Sequence, residues 1–351
     1  MSFEPNCLAT GIGSLPHPTA EAALQVVLPN VPDAPFWPQL PARGLNEQME
    51  VQYNEGLPRV VIDRAKERMY LDTTGDSSMD LAAFYERFLA EDLAAFAITP
   101  AFSQGIPALE AALRGPRRRP FVKVQTTGPL SFGLTIVDET KRAIHYHPEF
   151  SDAVVKCLAM KCRWQIRKFR EFADRVICFV DEPVLSAFGS STYVSVTRDD
   201  VLAKLGEVIE AVHAEGALAG VHCCGNTEWT ILMDAGADIV NFDAFDYGET
   251  IALYPEAVRR HLEAGKALAW GVVPTNSAKI GGQTPETLAA TFDRLVEHLA
   301  EAAKLDKALI VRQALITPAC GTGSLPVPDA ERVFALLSGT SRLLRARLGL
   351  A

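Results

Sequence analysis

A histidine and a cysteine stand two positions apart, at His222 and Cys224, directly after an apolar run. Residues two apart in an extended strand share a face, so both side chains can point into one site while Cys223 points away. Imidazole and thiolate are the ligands that a borderline-soft ion such as Zn²⁺ prefers. The pair therefore indicates part of a metal site. The alternative is a buried thiol beside a histidine that is hydrogen-bonded within the core.

Two residues elsewhere in the sequence can supply the remaining ligands of a tetrahedral site. Cys320 ends the last apolar run, within the segment TPACGTG, and Asp243 ends another such run. We expect Cys320 to close onto His222 and Cys224. Asp243 offers either an oxygen ligand or a hydrogen bond to the histidine. The alternative for Asp243 is a carboxylate that caps the helix after it.

Two adjacent carboxylates, Asp181 and Glu182, end a further apolar run and precede Pro183. Such a pair can bind a substrate ammonium group and move a proton. Neighbouring residues of a strand face opposite ways, so only one of the two can point at the site. We predict that Asp181 does so, as the catalytic carboxylate. The alternative is a pair that caps the N-terminus of the next helix.

A glycine-rich turn lies near the beginning of the sequence, in the segment TGIGSLPH at positions 10–17. It lacks the full spacing of a dinucleotide-binding fingerprint, and no acidic residue ends the next predicted strand, so nicotinamide binding is not supported. The backbone N–H groups around Ile12 and the hydroxyl of Ser14 can instead hold a carboxylate. The alternative is a tight turn that needs glycine for conformational reasons alone.

These polar residues end short apolar runs that alternate with amphipathic stretches. Alternation of strand and helix implies parallel strands joined by right-handed crossovers. Eight strands favour a closed (β/α)₈ barrel, an α/β fold of the TIM-barrel type, in which reacting groups lie at the carboxyl ends of the strands. The predicted strands cover residues 8–14, 35–40, 121–126, 176–181, 218–224, 238–243, 268–273 and 313–318.

The rest of the pattern completes a single barrel. Pro35 and Pro38 cannot donate ladder hydrogen bonds, so residues 35–40 form the weakest predicted strand. Residues 57–73 alternate β-branched and charged side chains, which predicts a hairpin inserted before the third strand. No linker or repeat divides the sequence, so we expect one catalytic domain over residues 1–351. The predicted helices cover residues 19–27, 80–97, 151–172, 198–215, 254–264, 285–303 and 328–347.

The composition excludes several classes of function. With 48% hydrophobic and 22% charged residues among 351, the chain can bury a large core and is not globally disordered. A formal charge of −9 argues against nucleic-acid partners and anionic membrane surfaces. No secretory signal pattern and no run of eighteen apolar residues occurs, and the cysteines have no disulfide-framework pattern. We expect a cytoplasmic protein.

The order of these motifs resembles a known family. The sequence resembles the catalytic barrel of cobalamin-independent methionine synthase in the order of its motifs, over nearly the whole chain. These motifs are GIGSLP, then DEP, then H-x-C, and then a late C-G. The segment HCCGNT is also similar to the zinc motif of the methylcobamide:thiol methyltransferases, which share a barrel superfamily with uroporphyrinogen decarboxylase. The resemblance implies a methyltransferase that converts homocysteine, a small thiol, into methionine.

The resemblance also implies roles for individual residues. Zinc would be held by His222, Cys224 and Cys320, with Asp243 standing where methionine synthase places a glutamate ligand. Substrate-binding positions would be Ile12 through its backbone, Ser14, and Asp181 with its neighbour Glu182.

Three departures from the family leave the methyl donor open between a folate and a corrinoid protein. The chain has one predicted barrel where typical members have two, and the missing half helps to bind the folate. The H-G-E segment and a histidine expected after the seventh strand have no counterpart. The alternatives are a corrinoid-protein-dependent thiol methyltransferase, a metal-free enzyme similar to uroporphyrinogen decarboxylase, or a non-catalytic zinc-binding barrel.

Overall fold

Strands and helices alternate along the chain, which confirms the predicted α/β class. The structure, a computed structural model, describes residues 3–190 and 196–350. Its strands are β1 (Leu8–Ala9), β2 (Val60–Asp63), β3 (Arg68–Leu71), β4 (Arg119–Thr127), β5 (Ala173–Asp181), β6 (Leu218–Cys223), β7 (Ile239–Phe242), β8 (Ala267–Val273) and β9 (Ala314–Pro318).

The seven predicted helices are present and differ mainly at their ends, and within the described ranges six shorter helices lie in stretches where none is predicted, at residues 105–113, 129–135, 229–234, 244–247, 277–280 and 307–312. The stretch predicted as one helix over residues 80–97 is α2 followed by a 3₁₀ turn, because Glu91 adopts a left-handed conformation with φ 51°. The helices are α1 (Ala20–Asn30), α2 (Ser78–Leu89), α3 (Gly105–Leu113), α4 (Pro129–Thr135), α5 (Pro148–Phe169), α6 (Arg198–Ala214), α7 (Trp229–Asp234), α8 (Ala244–Tyr247), α9 (Pro255–Glu263), α10 (Ser277–Ile280), α11 (Pro285–Ala303), α12 (Lys307–Arg312) and α13 (Val327–Arg347).

Seven of the strands form one parallel sheet in the order β1-β9-β8-β7-β6-β5-β4. The sheet curls, and helices flank it as in a TIM-barrel-like fold. Every residue of β6, β7, β8 and β9 is buried, as expected for strands that are covered on both faces. Strands β2 and β3 form a separate antiparallel hairpin, which confirms the predicted insertion.

Residues 35–40, the weakest predicted strand, lie between the two edges of this sheet. Gln39 exchanges backbone hydrogen bonds with the β1 side, donating to the Gly13 carbonyl at 3.0 Å and accepting from Leu15 N–H at 2.9 Å. On the other side, Lys123 N–H in β4 donates to the carbonyl of Pro35 at 2.8 Å. Only isolated bridges form, because two prolines in this stretch lack the N–H groups of a full ladder. The eighth position of the barrel is thus occupied by an irregular strand.

None of the helices in the described ranges combines the length and the apolar character that crossing a bilayer requires.

Candidate metal centre

The parallel register places four polar residues in one row near the carboxyl ends of the strands. Thr127 in β4 pairs with Asp181 in β5, which pairs with His222 in β6, which pairs with Asn241 in β7. Paired residues of neighbouring strands lie about 5 Å apart. The register alone therefore brings Asp181 and His222 side by side.

Cys320 joins His222 and Cys224 at this end of the barrel. One ligand atom from each of the three residues lies within 4.8 Å of the other two, and this is the group among the described residues that can hold a metal ion. Cys224 directly follows β6, and Cys320 follows β9 two positions after its last residue. Cys223, between the ligands, turns its thiol away into the buried core. The alternation of side chains along β6 produces this arrangement.

A hydrogen bond between Asn241 and the Nδ1 side of the ring fixes the orientation of His222, with Nδ1 as the donor. The Asn241 amide nitrogen donates to the carbonyl of Ala269 at 2.9 Å and to the hydroxyl of Thr317 at 2.8 Å. Its oxygen therefore faces His222 and accepts a hydrogen bond from Nδ1. The ring's other nitrogen, Nε2, is buried without a hydrogen-bond partner. Because Nδ1 carries the hydrogen, the lone pair on Nε2 is directed at the two sulfurs.

We expect Asn241→Leu to weaken zinc binding about 10- to 100-fold, the usual cost of losing a partner that orients a metal-ligating histidine. Asn241→Asp keeps an acceptor oxygen for Nδ1 but loses the hydrogen bond to the Ala269 carbonyl, so it is expected to recover only part of the affinity. Competition against a chromogenic chelator measures both. Wild-type affinity in the leucine variant would show that the amide does not orient the imidazole.

The electrostatics of the three residues suit a bound cation. Contact with the Cys320 thiol, and then with the His222 ring, holds the pKa of Cys224 well below that of a free thiol. The same contact raises the pKa of Cys320. Burial lowers the pKa of His222, but the Cys224 sulfur and the charge of Asp181 outweigh burial and raise it. A cation placed between the imidazole and the two sulfurs is thus favoured. One nitrogen and two sulfurs are also a set of donor atoms that suits zinc.

The loop that carries Cys320 is attached to Ser14 in the glycine-rich turn. The Ser14 carbonyl accepts from the backbone N–H and the hydroxyl of Thr322, both at 2.9 Å. Its hydroxyl oxygen accepts from Gly323 N–H at 3.1 Å. A Cβ atom at Gly321 would lie 2.2 Å from that oxygen, so the close approach requires glycine. Ser14 therefore helps to hold the third ligand in place.

A cavity of about 360 Å³ opens beside the three ligands. Ile12, Ser14 and Asp181 line it, together with Gln39 from the irregular strand. Oδ1 of Asp181 is buried and has no hydrogen-bond partner. Burial raises the pKa of Asp181, and the nearby charges of His222 and Lys123 oppose the shift. The cavity thus places an unpaired carboxylate oxygen next to the three potential metal ligands.

The structure does not bring two of the predicted site residues into this cavity. Glu182 is fully buried, and its carboxylate accepts hydrogen bonds from Leu130 N–H at 2.9 Å and Ser131 N–H at 2.8 Å at the start of α4. Asp243 accepts from Asp246 N–H at 2.9 Å and caps α8. Asp243 thus makes the capping contact considered as its alternative, whereas Glu182 binds the N-terminus of α4, an earlier helix, and not that of the helix after Pro183. The residue that hydrogen-bonds the His222 ring is Asn241 in place of Asp243.

Sequence reasoning missed Lys123, a fully buried lysine beneath the cavity wall. Its ammonium donates to the carbonyl of Ile12 and to Oε1 of Gln125, the latter at 3.1 Å. It also lies 4.7 Å from the centre of the Phe179 ring. Burial lowers the pKa of Lys123 to about 8. The signal in the sequence is a charged residue inside the apolar run FVKVQTT. The corresponding signal for Asn241 is a polar residue inside the apolar run IVNF.

No family model matches the sequence, and no curated protein matches it either. Among solved structures, the chain is similar to a B12-independent methionine synthase from Shewanella sp. W3-18-1, in complex with selenomethionine. The two are 15% identical with a TM-score of 0.55, and the match covers 98% of this chain and 100% of that one. At this identity the likeness shows a shared fold.

Two further solved structures match less well. An ochratoxinase from A. niger is 12% identical over 54% of this chain and 43% of its own, with a TM-score of 0.28. A dihydropteroate synthase from Xanthomonas albilineans, in complex with indole-2-carboxylic acid and 6-chloroguanine, is 10% identical over 80% of this chain and 90% of its own, with a TM-score of 0.24.

Proposed function

We propose that this chain is a zinc-dependent methyltransferase acting on a small amino-acid thiol, with homocysteine as acceptor and methionine as product. The observation that carries the proposal is the placement of His222, Cys224 and Cys320 within 4.8 Å of one another on the wall of a cavity. Three protein ligands beside an open space are typical of a catalytic zinc site. The fold shared with a methionine synthase supports the same reaction class.

The proposed ligands of the zinc are Nε2 of His222 and the sulfurs of Cys224 and Cys320. When bound there, zinc lowers the pKa of a coordinated substrate thiol, so that the sulfur is a nucleophile at neutral pH. Asp243 is engaged as a helix cap and is not needed in this set.

Asp181 and the turn around Ile12 and Ser14 hold the substrate. The unpaired Oδ1 of Asp181 accepts a hydrogen bond from the substrate ammonium group. The turn around Ile12 and Ser14 is fixed by Lys123 below and by the Cys320 loop above, so its position in the cavity is rigid. These contacts hold the sulfur in line with the methyl donor. The thiol loses its proton before transfer, and the new S–CH₃ bond forms as the bond between the methyl group and its donor breaks. The electron pair of the broken bond stays with the donor, where a folate nitrogen takes up a proton and a corrinoid does not.

Metal removal tests the proposal. Purified protein is expected to contain about one zinc per chain by elemental analysis, if the site is a catalytic zinc centre. Treatment with a strong chelator should abolish methionine formation from L-homocysteine, and added Zn²⁺ should restore it. Assays with methyltetrahydrofolate and with methylcobalamin, run side by side, identify the donor. A metal-free preparation that methylates homocysteine at the full rate would reject the proposal.

The same experiment separates the alternative functions. Turnover with methylcobalamin alone would indicate a corrinoid-protein-dependent enzyme. Stoichiometric zinc argues against a reaction similar to that of uroporphyrinogen decarboxylase, which uses no metal. Stoichiometric zinc without turnover of either donor would indicate a non-catalytic zinc-binding barrel.

A further inference from the structure

Gln39 has an unused hydrogen-bond donor in the cavity. Its side chain lines the cavity, and Nε2 is buried without a hydrogen-bond partner. Two backbone hydrogen bonds, to Gly13 at 3.0 Å and from Leu15 at 2.9 Å, fix the residue on both sides. A buried amide N–H that pairs with nothing costs free energy, so its natural partner is an acceptor on a ligand.

Apart from the turn around Ile12 and Ser14, the cavity contains few other groups that can bind an anion. Among the described residues that line it, none carries a lysine or arginine side chain. Gln48 also lines it, but its amide nitrogen already donates to the carbonyl of Pro41 at 3.2 Å. The ammonium of Lys123 is fully buried under Ile12 and does not reach the cavity. Gln39 therefore supplies the uncommitted amide donor of this space.

Gln39 and Asp181 are complementary in chemistry. One offers an unpaired donor and the other an unpaired acceptor oxygen, and both lie in a cavity that also holds the three sulfur and nitrogen ligands. A ligand that satisfies all of them carries a hydrogen-bond acceptor for the amide, a donor for Asp181 and a soft atom for the metal ligands; a carboxylate, an ammonium group and a sulfur atom meet these needs. This combination describes an α-amino acid with a sulfur-containing side chain.

We infer that Gln39 is a specificity-determining residue that binds the substrate carboxylate and so distinguishes amino-acid thiols from simple aminothiols. The inference rests on the proposed function and deepens it. A neutral amide in this place binds the carboxylate without adding a charge beside Asp181. Thiols that lack a carboxylate leave the amide unpaired and bind less well.

Calorimetry with two ligands tests the inference without a methyl donor. L-Methionine is compared with 3-(methylthio)propylamine, which is the same molecule without its carboxylate. Gln39→Leu is expected to weaken methionine binding about 10- to 100-fold and to change binding of the amine by less than about threefold, because the lost hydrogen bond goes to a charged group. Gln48→Leu, in the same cavity, is the matched control and should change neither affinity by more than about threefold.

The outcomes separate this inference from the proposed function. A Gln39→Leu variant that keeps the wild-type preference for methionine over the amine would overturn the role of Gln39. Equal weakening of both ligands would indicate a structural effect and would overturn it as well. If the wild-type protein does not bind methionine, the proposed amino-acid substrate fails, and the inference fails with it.

Discussion

Replacement of Cys320 by serine is expected to lower zinc affinity by more than about 1000-fold, well beyond the cost of losing an orienting partner. Serine preserves the size of the side chain, and Ser14 still holds the loop through the backbone of Thr322 and Gly323. The only lost element is a thiolate, which zinc prefers strongly to a hydroxyl. Elemental analysis after gel filtration, together with a chelator competition, measures the effect.

The matched control for this variant is Cys157→Ser. Cys157 is also a buried free cysteine, but it lies in a separate apolar cluster with Phe84 and Phe96. Its thiol contacts the carbonyl of Glu55 at 3.6 Å, a bond that a hydroxyl can make as well. We expect this variant to retain full zinc content. A Cys320→Ser protein with wild-type zinc affinity would show that the metal, if any, is held elsewhere.

Asp181→Asn is expected to weaken methionine binding by about 100- to 1000-fold, because it removes the charged partner of a buried ammonium group. The substitution keeps the shape of the side chain, so zinc content should stay at the wild-type level. The informative comparison is 4-(methylthio)butanoate, which is methionine without its amine, and whose affinity should not fall. Calorimetry with both ligands provides the measurement.

A parallel loss of affinity for methionine and for 4-(methylthio)butanoate would contradict this role of Asp181. Loss of zinc from the Asp181→Asn variant would contradict it in a different way, because it would point to a contribution to the metal site. The two results are distinguishable by elemental analysis of the same sample.

Much of the fold could be predicted from hydrophobic periodicity. Strands β4 to β9, the inserted hairpin and the long helices are at or within a few residues of their expected positions. Residues 35–40 differ because two prolines limit the ladder to single bridges. The end of α2 differs because Glu91 leaves the helical conformation, and nothing in the residue types of that stretch signals the change.

The ligand positions could be predicted because strand alternation and the barrel rule act on residue type and order alone. His222 and Cys224 share a face of one strand end, and Cys320 stands at another. The partners of the carboxylates could not be predicted in this way. Whether Glu182 faces the cavity or the N-terminus of α4 depends on packing between elements that are distant in sequence.

The contacts that support the site could not be predicted from the sequence pattern either. Asn241 and Lys123 act through hydrogen bonds to groups on other strands, and only the register of the sheet shows those partners. Each of them is nevertheless a polar residue inside an apolar strand, where burial requires a compensating contact. Such positions are the places to look for supporting residues in a barrel sequence.

The attachment of the Cys320 loop to Ser14 has a consequence for how the protein is made. During synthesis, His222 and Cys224 leave the ribosome well before Cys320 does, and the turn at Ser14 must wait for the same late segment. Until Cys320 is made, the chain has only two of the three proposed zinc ligands. If zinc binds as proposed, its site is completed only when the Ser14 turn and the Cys320 loop come together.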